Sequence, residues 1–181
     1  MRPAITIIAA LILTLTSFGQ LPKKVIKGIG QNPIIFVDSV EVSFDSAKTL
    51  NPFDISDISI VKPKKAKKLL SDKGSDGAIY VTTVKAAKKA YWTFFSAKSD
   101  AYKQLVISPQ ADTIVQYILN GQPLSDSAAP GKLFLITDKN FKAIEVIDKE
   151  MLPSASVSPK RYVVAVRAKY PKGLVKASIA K

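Results

Sequence analysis

The sequence predicts an α+β (mixed α/β) protein made of two tandem small units of strands with short helices, joined by an amphipathic helix. Three observations carry this. Short apolar or alternating runs are bounded by turn residues, a lysine-coated helical segment lies between two of them, and the pattern of the first half returns in the second.

In chain order, residues 1–19 read as a secretory signal peptide. Arg2 precedes an apolar run over 4–15, and Ser17 and Gly19 put small residues three and one positions before a cut ahead of Gln20. A spanning helix needs about 20 apolar residues, more than this run supplies. No cysteine stands at the cut, so no lipid anchor is expected. The mature chain is expected in the periplasm or secreted, associated with the outer membrane, and without a transmembrane segment.

The first unit is read over 20–87. Residues 34–42 are apolar and then alternate around Asp38-Ser39, as in a strand with a turn near its middle. Asn51 can cap a helical turn that has Pro52 at its first position. Ile55, Ile58, Ile60 and Val61 follow, with 58 and 60 on one face of a strand. Pro63 opens a short helix coated with lysine, which Gly74 can stop. Residues 78–84 are rich in Ile, Tyr, Val and Thr and form the next strand.

The joining helix is read over 88–108, ended by Pro109. Tyr91, Phe95, Lys98, Tyr102 and Leu105 recur at helical spacing. Its Tyr91-Trp92-Thr93-Phe94-Phe95 cluster suits an aromatic face packed on a sheet with lysines reaching outward. The second unit, 109–181, repeats the first. Tyr117-Ile118-Leu119-Asn120-Gly121 aligns with Ile35-Phe36-Val37-Asp38-Ser39, and 136–144 aligns with 50–58. Residues 145–148 then answer 59–62, and Tyr162 to Val166 answers Ile79 to Thr83.

Phe36-Val37-Asp38, Leu50-Asn51-Pro52-Phe53-Asp54-Ile55, Ile58 to Lys62, the Gly74–Gly77 turn and Ile79-Tyr80-Val81-Thr82-Thr83 together resemble the plug domain of TonB-dependent outer-membrane receptors of the Bacteroidota type. The resemblance covers about 50 residues and extends weakly to the second unit, so each unit is expected to be plug-like. Ser39 stands where the family has glycine, and the family's alanine-rich helix is here lysine-rich. No barrel is expected after the plug-like units, since a barrel needs many strands of about ten residues. Nor is a TonB-contacting segment expected over 20–29. The resemblance implies a free-standing, plug-like periplasmic protein.

Composition narrows the chemistry. Cysteine and histidine are both absent, which removes thiol nucleophiles, disulfides, histidine-based triads and the commonest transition-metal ligands. About 160 mature residues can bury a core without disulfides. Ser59 and Lys62 have the spacing of a Ser-Lys pair, but in a strand-like segment rather than at a helix start. The stretch from Asp72 to Gly77 opens like a calcium loop, yet has glycine at the third ligand position and Thr83 where a bidentate glutamate is needed. Gly28-Ile29-Gly30 lacks the third glycine of a dinucleotide fingerprint. No catalytic, cofactor-binding or metal-binding residue is assigned.

Charge points to partners instead. The chain has 27 basic and 14 acidic residues, +13 overall. Lys62, Lys64, Lys65, Lys67, Lys68, Lys73, Lys85, Lys88 and Lys89 concentrate much of it around the first unit's helix. Only three arginines occur, and base readers lean on arginine, so no nucleic-acid partner is expected. Lys64, Lys65, Lys67, Lys68 and Lys73 are the candidate partner-binding residues, toward an acidic envelope or outer-membrane protein. The leading expectation is therefore a non-enzymatic envelope interaction module, accessory to outer-membrane transport or envelope assembly. One alternative is a structural envelope protein whose lysine face meets anionic lipid or polysaccharide. Another is a hydrolase using Asp38, Asp54, Asp57, Asp72 and Asp76, which would need paired carboxylates facing a cleft.

Overall fold

The structure, a computed structural model, describes residues 28–148, 150 and 160–169. The signal-peptide reading and most of the 20–29 stretch lie outside the described residues. The first unit contains β1 (Ile34–Val37), β2 (Val40–Val42), α1 (Phe44–Lys48), β3 (Ile55–Val61), α2 (Pro63–Leu70) and β4 (Ala78–Thr83). Helices α3 (Val84–Ser96) and α4 (Asp100–Leu105) follow. The second sheet is formed from β5 (Val115–Leu119), β6 (Gln122–Pro123), β7 (Phe141–Asp148) and β8 (Tyr162–Ala168), with α5 (Ala129–Leu133) between β6 and β7. Among the described residues, no helix is long and apolar enough to cross a membrane.

The two sheets share one plan. Their orders are β2-β1-β4-β3 and β6-β5-β8-β7, each with a parallel central pair and antiparallel outer pairs. A parallel pair requires a crossover; in the first unit β3 and α2 provide it. Even the irregularities coincide. A bulge falls between Ile55 and Asp57 opposite β4, and another between Phe141 and Ala143 opposite β8, at positions aligned by the sequence repeat.

One part of that repeat needs correction. Ile35 pairs with Ile79 and Tyr117 with Val164, while Ile58 and Ile144 pair with Val81 and Val166. Residues 164–168 therefore answer 79–83, and Tyr162 answers Gly77. Strand pairing thus places Val164, not Tyr162, in the role of Ile79, a shift of two residues from the sequence alignment. Strand side chains alternate with a period of two, so such a slip preserves the inward and outward pattern and only the pairing reveals it.

Two further expectations change. The helix read over 88–108 begins four residues earlier, because the Thr83 hydroxyl caps it by accepting from the Ala86 N–H at 3.1 Å. It then breaks after Ser96, and Ser99 caps α4 by accepting from the Tyr102 N–H at 3.2 Å. Helix α4 ends at Leu105, well before Pro109. Gly74 does not stop α2 either. The chain leaves α2 at Ser71, whose φ is 55°, and continues as a 3-10 helix over Ser71–Asp76. Gly74 is buried inside that segment, against the backbone of Ala66.

The cores differ in size. Ile35, Ile79 and Val81 form the buried centre of the first, with Val37, Val42, Ala47, Leu50 and Ile58 packed around them. The second gathers Tyr91, Phe95, Tyr102 and Val106 of the helical segment against Val115, Tyr117, Leu119, Val164 and Val166. Thus the joining helices also cover the second sheet. The aromatic cluster packs as expected: Phe94 meets Phe141 edge-on with centroids 5.5 Å apart, and Trp92 Nε1 donates to the Val106 carbonyl at 2.6 Å. Gly131 of α5 approaches Ser56 of β3 so closely that a Cβ would lie 2.6 Å from the Ser56 carbonyl oxygen. That contact joins the second unit to the outer strand of the first.

A methyl group at Gly74 would lie 2.4 Å from the Ala66 carbonyl carbon and oxygen, a clash with backbone that no rotamer change relieves. Gly74→Ala is therefore expected to destabilise the protein by about 1–3 kcal/mol in urea unfolding. An unchanged midpoint would contradict this packing of Gly74 against α2.

Candidate functional site

The lysine helix is built locally. Pro63 occupies a first-turn position where its missing N–H is tolerated, and Lys67 and Lys68 in the last turn complement the helix dipole. At 3.6 residues per turn, Lys64, Lys65, Lys67 and Lys68 share roughly half the circumference. Ala66 faces inward and is fully buried. All four lysines are exposed, as is Lys73 in the following 3-10 segment. Lys67 Nζ lies 3.1 Å from Asp72 Oδ1, and Lys73 Nζ lies 3.7 Å from Glu41 Oε2. Lys64, Lys65 and Lys68 make no ion pair with any described residue. The structure therefore gathers four of the five sequence-predicted residues on one helix face. It directs Lys73 toward β2.

The five aspartates do not converge. Asp38 sits in the β1–β2 turn and accepts from the Thr83 N–H at 2.8 Å and the Thr83 hydroxyl at 2.7 Å. Asp57, on β3, accepts from the Ser59 hydroxyl at 3.0 Å. Asp72 pairs with Lys67, and Asp76 accepts from the Asn32 N–H at 2.9 Å. Asp54 ends an exposed 3-10 turn that Asn51 caps by accepting from the Phe53 N–H at 3.1 Å. On the sheet, β4 separates the strand of Asp57 from the turn that holds Asp38. Asp38, Asp57, Asp72 and Asp76 each have a partner other than a second carboxylate.

Sequence reading missed a buried polar cluster. Asp112, 5 % exposed, lies in the 3-10 turn before β5. It accepts from Lys88 Nζ at 2.6 Å and from the Tyr91 hydroxyl, both on α3. The Tyr102 and Tyr117 hydroxyls are hydrogen-bonded at 2.8 Å, and the Tyr91 and Tyr117 rings meet edge-on with centroids 5.7 Å apart. Because a buried charge must be paired, the cluster pins α3 to the second sheet. Burial pushes all three phenols above the ordinary tyrosine range. At Tyr91 the hydrogen bond to Asp112 and its negative charge add to that effect. Asp112 and the three phenols are buried and Lys88 is partly exposed, a geometry that suits packing.

Comparison with family models, curated proteins and solved structures found no match to this chain.

The tyrosines set an alkaline limit on stability. Their folded-state pKa values lie above the unfolded value of about 10. Their contribution is therefore complete below about pH 10 and is lost as pH rises, since the unfolded chain releases protons that the folded chain retains. Each proton retained by the folded chain and released by the unfolded one steepens the fall by about 1.4 kcal/mol per pH unit. Urea unfolding at successive pH values should show this fall. Tyrosinate absorbance should reveal Tyr91, Tyr102 and Tyr117 only as the chain unfolds; ionisation of all tyrosines in the folded protein near pH 10 would contradict it.

Proposed function

We propose that the chain is an exported, non-enzymatic binding module of the cell envelope that presents the lysines of α2 to an acidic protein partner. The single observation that carries this reading is the α2 face, where Lys64, Lys65, Lys67 and Lys68 are all exposed and only Lys67 has an acidic neighbour among the described residues. Four cations held together on a short helix, itself braced by Ala66 against Gly74, form a field that attracts an acidic surface and weakens with salt. The resemblance of the Phe36–Thr83 region to receptor plug domains suggests the setting: a free-standing periplasmic accessory of outer-membrane transport or envelope assembly. Fold resemblance alone does not assign function, so the weight rests on the lysine face.

Crosslinking of the tagged protein in the living envelope tests this reading. A defined outer-membrane or envelope protein should be captured, and replacement of Lys64, Lys65, Lys67 and Lys68 by glutamate should abolish its capture. Capture of the same partner by the glutamate variant would overturn the assignment. Capture of no protein, with lysine-dependent retention on anionic lipid or polysaccharide, would favour a structural envelope role instead.

A further inference from the structure

A second basic feature lies at the tip of the second sheet, apart from α2. Asn120, Gly121, Lys142, Ala143, Arg167 and Lys169 border a shallow, open cleft of about 580 Å³. Lys142, Arg167 and Lys169 are exposed, and none makes an ion pair with a described residue. Lys142 is the residue at the β7 bulge, and Arg167 pairs in register with Ala143. Bulges re-aim side chains at the ends of sheets. Gly121, with φ +80°, leaves the mouth open: a Cβ there would meet nothing within 4 Å.

The first unit provides an internal comparison, because the same positions can be read there. Ser56, Asp57 and Thr82 stand where the second unit has Lys142, Ala143 and Arg167. The Ser56 end is covered by Gly131 of α5, and α3 starts directly after Thr83. The turn residue changes in the same sense. In the first unit the carboxylate of Asp38 holds the end of β4. In the second the neutral amide of Asn120 does the same task, accepting from the Ala168 N–H and donating to its carbonyl, both at 2.9 Å. Every substitution removes negative charge or adds positive charge at one place, while the backbone plan is kept.

From this we infer that the tip of the second unit is a binding site for a phosphate-bearing ligand. Three cations around one cleft repel one another, and a multivalent oxyanion between them relieves that repulsion. The Arg167 guanidinium can grip two oxygens of a phosphate in parallel, while Lys142 and Lys169 act as mobile point charges. Asn120 completes the tip without a carboxylate to compete. The openness of the cleft suits a phosphate presented on a larger molecule, whether a soluble phosphoester or a lipid headgroup.

The test uses the full chain, isotopically labelled, titrated with inorganic pyrophosphate against sodium chloride of matched ionic strength. Saturable amide shifts should centre on Asn120, Gly121, Lys142 and 167–169. The Lys142→Gln/Arg167→Gln pair should weaken binding about tenfold or more, whereas glutamine at Lys64, Lys65, Lys67 and Lys68 should leave it unchanged, which separates this site from α2. A second variant, Asn120→Asp/Ala168→Thr, imports the first unit's clamp and keeps a route to a folded tip; it should also lose binding. Equal shifts with chloride, or undiminished affinity in both variants, would overturn the proposal. Co-sedimentation with phosphatidylglycerol and phosphatidylcholine vesicles identifies the source. Binding to the former that depends on Lys142 and Arg167 supports a lipid headgroup, and pyrophosphate binding without such vesicle binding supports a soluble phosphoester.

Discussion

The structure depends on a clamp made twice, at the tip of each hairpin. In the first, Asp38 and Ser39 both have positive φ, 50° and 72°, the conformation of a tight two-residue hairpin turn. Such a turn aims the first side chain back toward the neighbouring parallel strand. Asp38 takes the N–H and hydroxyl of Thr83, and its own N–H donates to the Val81 carbonyl at 2.9 Å. Asn120 repeats this with Ala168 and Val166. Without these bonds the last residues of β4 and β8 would end in unpaired backbone groups, and buried or half-buried groups of that kind are costly.

The first clamp also sets where α3 begins. The Thr83 hydroxyl donates to Asp38 and accepts from Ala86, so one side chain ends a strand and starts the helix. Starting the helix there fixes which face it turns inward, and that face carries Lys88, Tyr91 and Phe95. Tyr91 and Phe95 enter the second core while Lys88 reaches Asp112. A hydrogen bond in the first unit is in this way upstream of the packing of the second. After Ala168 the second clamp leads into no described helix. The described residues at the equivalent end of the sheet, Lys142, Arg167 and Lys169, are basic and exposed.

Much of the plan was legible because it is written locally. The Asp38-Ser39 and Asn120-Gly121 turns, the Asn51 cap and the alternation of Ile58 and Ile60 each lie within a few residues of sequence. Their recurrence in order revealed the repeat. What escaped depends on tertiary contact or on symmetry of the pattern. The two-residue slip at Tyr162 left the alternation intact. The helix break at Ala97–Ser99 was hidden because Phe95 and Tyr102 keep a common spacing across it. Helix α5 is only five residues long and contains Pro130 and Gly131, a composition that reads as loop. Gly74 resembles a helix stop, and only the approach of Ala66 shows its packing role. Of the site residues, the lysines of α2 form a sequence cluster and were found. Lys88 and Asp112 are 24 positions apart, and Lys142, Arg167 and Lys169 are brought together only by strand pairing.

The most direct measurement on this account is amide hydrogen exchange at Thr83 and Ala168. Both lie at strand ends, where amides ordinarily fray and exchange fast. Held by Asp38 and Asn120, they should be protected to the same degree as Val81 and Val166 in the strand interiors, and Asp38→Ala should release Thr83 and Ala86 while leaving Ala168 protected. Fast exchange at Thr83 and Ala168 in the unaltered protein would contradict the clamp and the repeat plan built on it.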